Sequence, residues 1–308
     1  MKSITLLVLV CAGAALGQQA EIRGVVAAGA QPQLVQGGFN GLEGPVSAPD
    51  GGLYFSEITA DRIHKLASNG TISVWREKTN RTNGLFLLKD GRLLAAEGGG
   101  PRVISIAPGG AVTALATAYA GKPLRGPNDV MPDNRGGVYF TDPAPRPSPD
   151  QAPKERGNVH YIRSGGEVIL IDDQIQRPNG LTLSVNGRTL YVDDTEGEHV
   201  YAFDVQSDGS VKNKRQFAKL LELEKGSLGM RSRADGMAID STGRLYVATA
   251  AGIQVIGTRG EHLGILRVPQ VARNVAFGGP DRRTLYMTAL ESLYSVKLLS
   301  QGPADRAK

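Results

Sequence analysis

Six short segments of this 308-residue chain carry an oxygen-bearing side chain at a constant distance ahead of a turn. They open at Glu43, Asn83, Asn128, Asn179, Asp235 and Asn274, and eight positions later stand Gly51, Gly91, Gly136, Gly187, Gly243 and Arg282. Two openings are carboxylates and four are neutral amides; none is a histidine and none carries sulfur. Hard divalent ions, calcium above all, take about 6–8 oxygen ligands from such groups, whereas zinc and copper favour nitrogen and sulfur. Two carboxylates also match the charge of one divalent ion. The spacing therefore points to one bound divalent cation, calcium before Zn2+, Mn2+ or Mg2+, if the fold gathers the openings in one place. Polar plugs that hydrogen-bond one another and water are the alternative that spacing leaves open.

The elements that would gather them are visible in the repeats. An apolar strand follows each turn, as in Leu53-Tyr54-Phe55, Leu93-Leu94-Ala95, Val138-Tyr139-Phe140 and Leu245-Tyr246-Val247. Within the first unit, Asn69-Gly70 is a hairpin signal between two further strand-like runs. The openings lie 40, 45, 51, 56 and 39 residues apart, the length of a four-stranded repeat. Six such units predict an all-β fold, a six-bladed β-propeller whose innermost strands line a central channel. Forty glycines agree with many tight turns. The last repeat is short, ending after Tyr294-Ser295-Val296, while Gln33-Leu34-Val35 precedes the first. The early segment is expected to supply the outer strand of the last blade and so close the ring, removing exposed sheet edges.

Residues 1–17 read as a cleavable signal peptide: Lys2, an apolar run, then Ala15 and Gly17 just before Gln18. The run of about 12 residues is too short to span a bilayer, which needs roughly 20. A single exported domain over residues 18–308, secreted or periplasmic, is expected. The lone cysteine, Cys11, lies in the leader, which excludes disulfides, thiolate chemistry and Cys-ligated zinc from the mature chain. The net charge of +5, from 35 basic and 30 acidic residues, is spread without a basic run. No nucleic-acid partner and no membrane anchor are expected, and the chain reads as a monomer. Residues 142–157, rich in proline, and 221–233 are expected to shape the channel entrance, with Arg146, Lys154, Arg156, Arg231 and Arg233 available to an anionic or polyhydroxylated substrate.

Several motifs in register resemble one family. Arg233-Ala234-Asp235-Gly236-Met237-Ala238-Ile239-Asp240, Arg177-Pro178-Asn179-Gly180-Leu181, Pro127-Asn128-Asp129-Val130 and Tyr139-Phe140-Thr141-Asp142-Pro143 look like the gluconolactonase, regucalcin (SMP-30) and luciferin-regenerating-enzyme family. Leu42-Glu43-Gly44-Pro45 and the stretch from Asn274 to Asp281 extend the likeness over about residues 35–298. The resemblance implies a metal-dependent lactonase that opens a sugar-type lactone to its hydroxy acid. It implies Glu43, Asn179 and Asp235 as metal ligands, Asn128 as a fourth channel residue contacting metal or substrate, and Asp235 as the catalytic base. Arg125 lies near the family's substrate-gripping arginine, one residue further from the asparagine than usual. Asn83 and Asn274 complete the expected substrate-binding lining. Glu57 stands where many members carry Asp and is not read as a ligand. The same site acting on phosphotriesters, or a non-catalytic binding propeller with a structural ion, are the competing readings.

Overall fold

The computed structural model describes residues 18–145 and 155–304, so the expected leader, Arg146 and Lys154 lie outside it. The first blade comprises Leu42–Ser47, Leu53–Glu57, Arg62–Leu66 and Ile72–Glu77, hydrogen-bonded in that order. Five more four-stranded antiparallel sheets repeat it, with innermost strands Thr82–Leu87, Val130–Pro132, Pro178–Leu183, Met237–Ile239 and Ala272–Gly278. In the sixth blade the outermost place is taken by Gln33–Gly37, antiparallel to Ser292–Lys297. The chain is thus a six-bladed propeller closed by its N-terminal strand, as the repeats predict. No helix among the described residues is long and apolar enough to cross a membrane.

Position within a blade explains the residue patterns. Inner and second strands are packed on both faces; Leu42–Ser47 is buried throughout, and second strands such as Leu93–Glu97 are apolar up to their last residue. The outer strand Ile72–Glu77 is mostly half-buried or exposed and carries Ser73, Arg76 and Glu77. Phe55, Tyr139, Phe140, Tyr246 and Phe277 fill the space between blades. Each blade's first hairpin is fixed by a local side-chain bond: Asp90 Oδ1 accepts from Arg92 N at 3.0 Å and Asp240 Oδ1 from Thr242 N at 2.8 Å. Gly91 there has φ 84°, which other residues rarely adopt.

A second device, repeated in the first, third and fourth blades, holds the loop that enters the inner strand. Glu57 Oε1 accepts from Asn40 N at 2.8 Å, Asp142 Oδ1 from Gly126 N at 2.7 Å, and Asp194 Oδ1 from Arg177 N at 2.9 Å. These acids end their second strands and anchor backbone; Glu57 also pairs with His64 Nε2 at 2.7 Å. On the same face stand two short hairpins, Ala118–Tyr119 with Lys122–Pro123 and Glu224–Gly226 with Gly229–Arg231, ahead of the third and fifth inner strands.

Candidate metal centre

The ladders fix which residues meet on the axis. In the second blade Leu85, Phe86 and Leu87 pair with Ala95, Leu94 and Leu93, and the ladder then breaks across Asn83 and Gly84 before resuming at Thr82. The fourth blade breaks in the same way across Asn179 and Gly180. Counting equivalent rungs places Glu43, Asn83, Asn128, Asn179 and Asp235 in one ring. In the sixth blade Val275, Ala276 and Phe277 occupy the rungs of Leu85, Phe86 and Leu87, and the irregularity falls between Ala272 and Asn274. The sixth ring member is therefore Arg273, not Asn274, which the sequence repeat suggests. Hydrogen bonds repeat the assignment. Gly84 N donates to Asn128 O at 2.8 Å, and Gly236 N donates to Arg273 O at 2.7 Å. Val130 N donates to Asp129 Oδ1 and Val275 N to Asn274 Oδ1, both at 2.9 Å.

The glycine that follows most ring members has a steric cause. A Cβ on Gly180 would lie 2.1 Å from the backbone oxygen of Asp235, and one on Gly236 would lie 1.9 Å from Asn274 Cγ. In the four blades with glycine here, the neighbouring inner strand approaches so closely that a side chain would meet it, while Asp129 and Asn274 fill the position in the third and sixth blades.

Glu43, Asn179 and Asp235 are all buried. Asn179 Nδ2 donates to Thr195 Oγ1 at 3.0 Å, which leaves Asn179 Oδ1 buried with no hydrogen-bond partner. Asn83 Oδ1 is orphaned in the same way. Buried carbonyl oxygens without donors are costly unless a cation or water meets them. Glu43 Oε2 accepts from Asn274 Nδ2 at 3.3 Å, and Asp235 Oδ2 faces Arg273 Nη1 at 3.4 Å. Burial, with the Asp235 carboxylate adding to it, pushes the Glu43 carboxyl up to about 8 from an ordinary 4.5; Arg273 and Asn274 offset only part of this. Two buried carboxylates close enough to repel, beside unpaired amide oxygens, fit a hard divalent cation. Among the described residues no group of three or more His, Cys, Asp or Glu side chains could hold a metal, so a cation at this ring would draw on the amide oxygens of Asn179 and Asn83 beside the two carboxylates.

The remaining candidates are placed as follows. Asn128 is half-buried in the ring, its N–H donating to Thr141 O at 2.9 Å. Asn274 sits one step below the ring, where it holds Glu43. Arg125 belongs to the rim: its guanidinium binds Glu155 Oε2 at 3.1 Å and the Arg156 carbonyl at 3.0 Å. Two buried acids absent from the sequence pattern lie below the ring, Asp129 and Asp193. Asp193 Oδ1 accepts from Gly180 N at 3.1 Å, while Oδ2 has no partner, and burial raises its carboxyl well above the usual range. The Asp193-Asp194 doublet at the end of a second strand was the available signal. The large cavity of about 1010 Å³ opens at the other end of the inner strands, among the turns of Leu88, Pro132 and Val185, away from this ring.

The Glu43 shift predicts how binding responds to pH. Glu43 must lose its proton before it can ligate a cation. Calcium affinity should therefore rise with pH, by up to about tenfold per unit while one proton is displaced, and level off above about 8. The sign for folding is opposite. Because the folded value lies above the unfolded one, the cation-free protein loses stability as pH rises from 4.5 to about 8. Calorimetric calcium titrations and melting curves between about pH 6 and pH 8 check both; flat profiles would contradict the assignment.

Comparison with known proteins agrees with this architecture. A family model described as the SMP-30/gluconolactonase/LRE-like region matches residues 42–291. A gluconolactonase of Zymomonas mobilis is 26% identical over 286 residues, covering 84% of this chain and 79% of its own. A pentonolactonase of Haloferax volcanii is 29% identical over 252 residues, covering 80% of each. The solved structure of a gluconolactonase from Xanthomonas campestris superposes with a TM-score of 0.76 at 26% identity, covering 88% of this chain and 90% of that one. With the family match spanning most of the propeller, the chain belongs to the SMP-30/gluconolactonase/LRE-like family.

Proposed function

We propose that this protein is a divalent-cation-dependent lactonase acting on sugar-type lactones. The observation that carries the reading is the orphaned Asn179 Oδ1, buried in the same ring as Glu43 and Asp235. Those three side chains would hold the ion, with Asn128 and Asn83 beside them. A bound dication supplies Lewis acidity, polarising the ester carbonyl and favouring the charge that develops on its oxygen.

The chain's own groups do the rest. Asn274 fixes Glu43 through the 3.3 Å bond and keeps its carboxylate in the ring. Thr195 fixes Asn179 through its amide nitrogen, so that the amide oxygen faces the ring. Asn83 and Asn128 offer amide groups to ring hydroxyls, which orients the ester for attack. Asp235 takes a proton from the attacking water. The bond from that water oxygen to the acyl carbon forms, the bond from the acyl carbon to the ring oxygen breaks, and the proton passes to the ring oxygen. The product is the open hydroxy acid. Hydrolysis of a lactone panel, read by acid release with chelated protein and with single ions restored, tests the reading. The expected result is turnover that vanishes on chelation and returns first with calcium. Lactone turnover indifferent to chelation, or none with any ion, would overturn it.

A further inference from the structure

We propose that Arg273 reads a carboxylate on the substrate, so that this chain prefers lactones of sugar diacids to neutral sugar lactones. The proposal rests on the lactonase reading and names the substrate class of that site. Arg273 is the one cationic member of the channel ring; the other five offer oxygen. It sits at the break in the sixth inner ladder, the kind of irregularity that re-aims a side chain toward a site. Its side chain is 27% exposed, so the guanidinium is neither sealed in the core nor free in solvent.

The partners of the basic residues separate Arg273 from the rest. Arg231 is held by Glu196 at 3.0 Å and Glu224 at 2.9 Å, Arg233 by Glu224 at 3.7 Å, and Arg125 by Glu155 at 3.1 Å. These three rim cations are therefore matched by acids outside the ring, and Arg156 donates to the Gln174 amide oxygen at 2.7 Å. The ion pair of Arg273 is with Asp235, which is itself a proposed cation ligand. Within the ring itself, a dication would take the charge of Glu43 and Asp235, −2 + 2 = 0, and the guanidinium would lose its carboxylate partner; the two further buried acids, Asp129 and Asp193, belong to the third and fourth blades below the ring and make no ion pair with it among the described residues. A fixed positive charge beside a bound dication is unfavourable unless an anion faces it. The guanidinium makes one side-chain hydrogen bond, through Nη1 at 3.4 Å, and presents a planar fork of donors suited to a carboxylate. Neutral ring hydroxyls do not need it, since Asn83 and Asn128 already serve them.

The test uses a matched pair, D-glucaro-1,4-lactone and D-glucono-1,4-lactone, which differ in carboxylate against hydroxymethyl at one end. The calcium-loaded protein should show a kcat/KM ratio of at least about tenfold in favour of the acidic lactone, carried mainly by KM. Arg273→Met should bring that ratio to about one, and Arg273→Lys should restore part of it. Calorimetry with D-glucarate and D-gluconate gives a readout independent of turnover. The parent should bind the dicarboxylate at least about tenfold more tightly, and Arg273→Met should lose that difference. If neither lactone is opened, the lactonase reading fails while the binding comparison still decides the role of Arg273. A parent ratio near one in both measurements, or a ratio unchanged in Arg273→Met, would overturn the proposal.

Discussion

Asp235→Asn is expected to abolish lactone hydrolysis in a protein that still folds. The loss should be about 10²–10⁴-fold in kcat from removal of the general base alone, before any weakening of cation binding. Asparagine keeps the shape and one ligating oxygen but cannot accept the proton of the attacking water. The fold has little reason to respond. The backbone of Asp235 donates to Ala248 O at 2.9 Å, and Gly236 N donates to Arg273 O at 2.7 Å, in either variant. Removing one of two mutually repelling buried charges also relieves Glu43, whose carboxyl is raised in part by Asp235, and this offsets the loss of the 3.4 Å pair with the part-exposed Arg273. Melting temperature in the cation-free state should therefore hold or rise while kcat collapses. Kinetics at saturating calcium, alongside a thermal melt, check both halves. Full activity in Asp235→Asn would remove the residue from the mechanism.

Gly180→Ala should destabilise the protein strongly for a single added methyl. The new Cβ would stand 2.1 Å from the Asp235 carbonyl oxygen and 2.8 Å from Asp193 Oδ2. The first of these is backbone, in the segment that leads into Met237–Ile239 and is tied to the neighbouring strand by Asp235 N donating to Ala248 O at 2.9 Å, so it cannot swing aside as a surface side chain would. Overpacking in a tight interior costs about 1–3 kcal/mol, and the upper end or more is expected here because two blades must part. The same displacement moves Asp235 and Asn179 relative to each other, so calcium affinity should fall with stability. Denaturant unfolding of the chelated protein and calcium calorimetry give the two readouts. A variant as stable as the parent would mean that the inner strands are packed less closely than described.

Much of this was readable in advance, and the reasons differ by level. The propeller and its closing strand follow from turn chemistry and apolar runs that recur in every unit, such as Asp50-Gly51 before Leu53 and Asp240 and Gly243 before Leu245. Local rules govern those features, so sequence carries them. Five of the six ring members follow as well, because the distance from ring to turn is constant where the hairpins are alike. The sixth does not. From Phe277 to its partner Leu285 is 285 − 277 = 8 positions, against 93 − 87 = 6 from Leu87 to Leu93. The longer hairpin shifts the turn, and counting eight back from Arg282 lands on Asn274, one place past Arg273. Only the ladder register reveals the displacement. Arg125 is a similar case: the family resemblance implies a substrate contact near this position, whereas in the structure its guanidinium goes to Glu155 and Arg156, a pairing of distant segments that no local pattern encodes. Asp193 escaped for the opposite reason, since its neighbour Asp194 takes the anchoring part that Glu57 and Asp142 take in their own blades.

The most direct test is a crystal of the chelated protein soaked in calcium and measured for anomalous scattering. One peak on the propeller axis, with oxygens of Glu43, Asn179 and Asp235 at about 2.3–2.6 Å, is the predicted result. A channel that binds no ion, or an ion held away from those three side chains, would contradict the account.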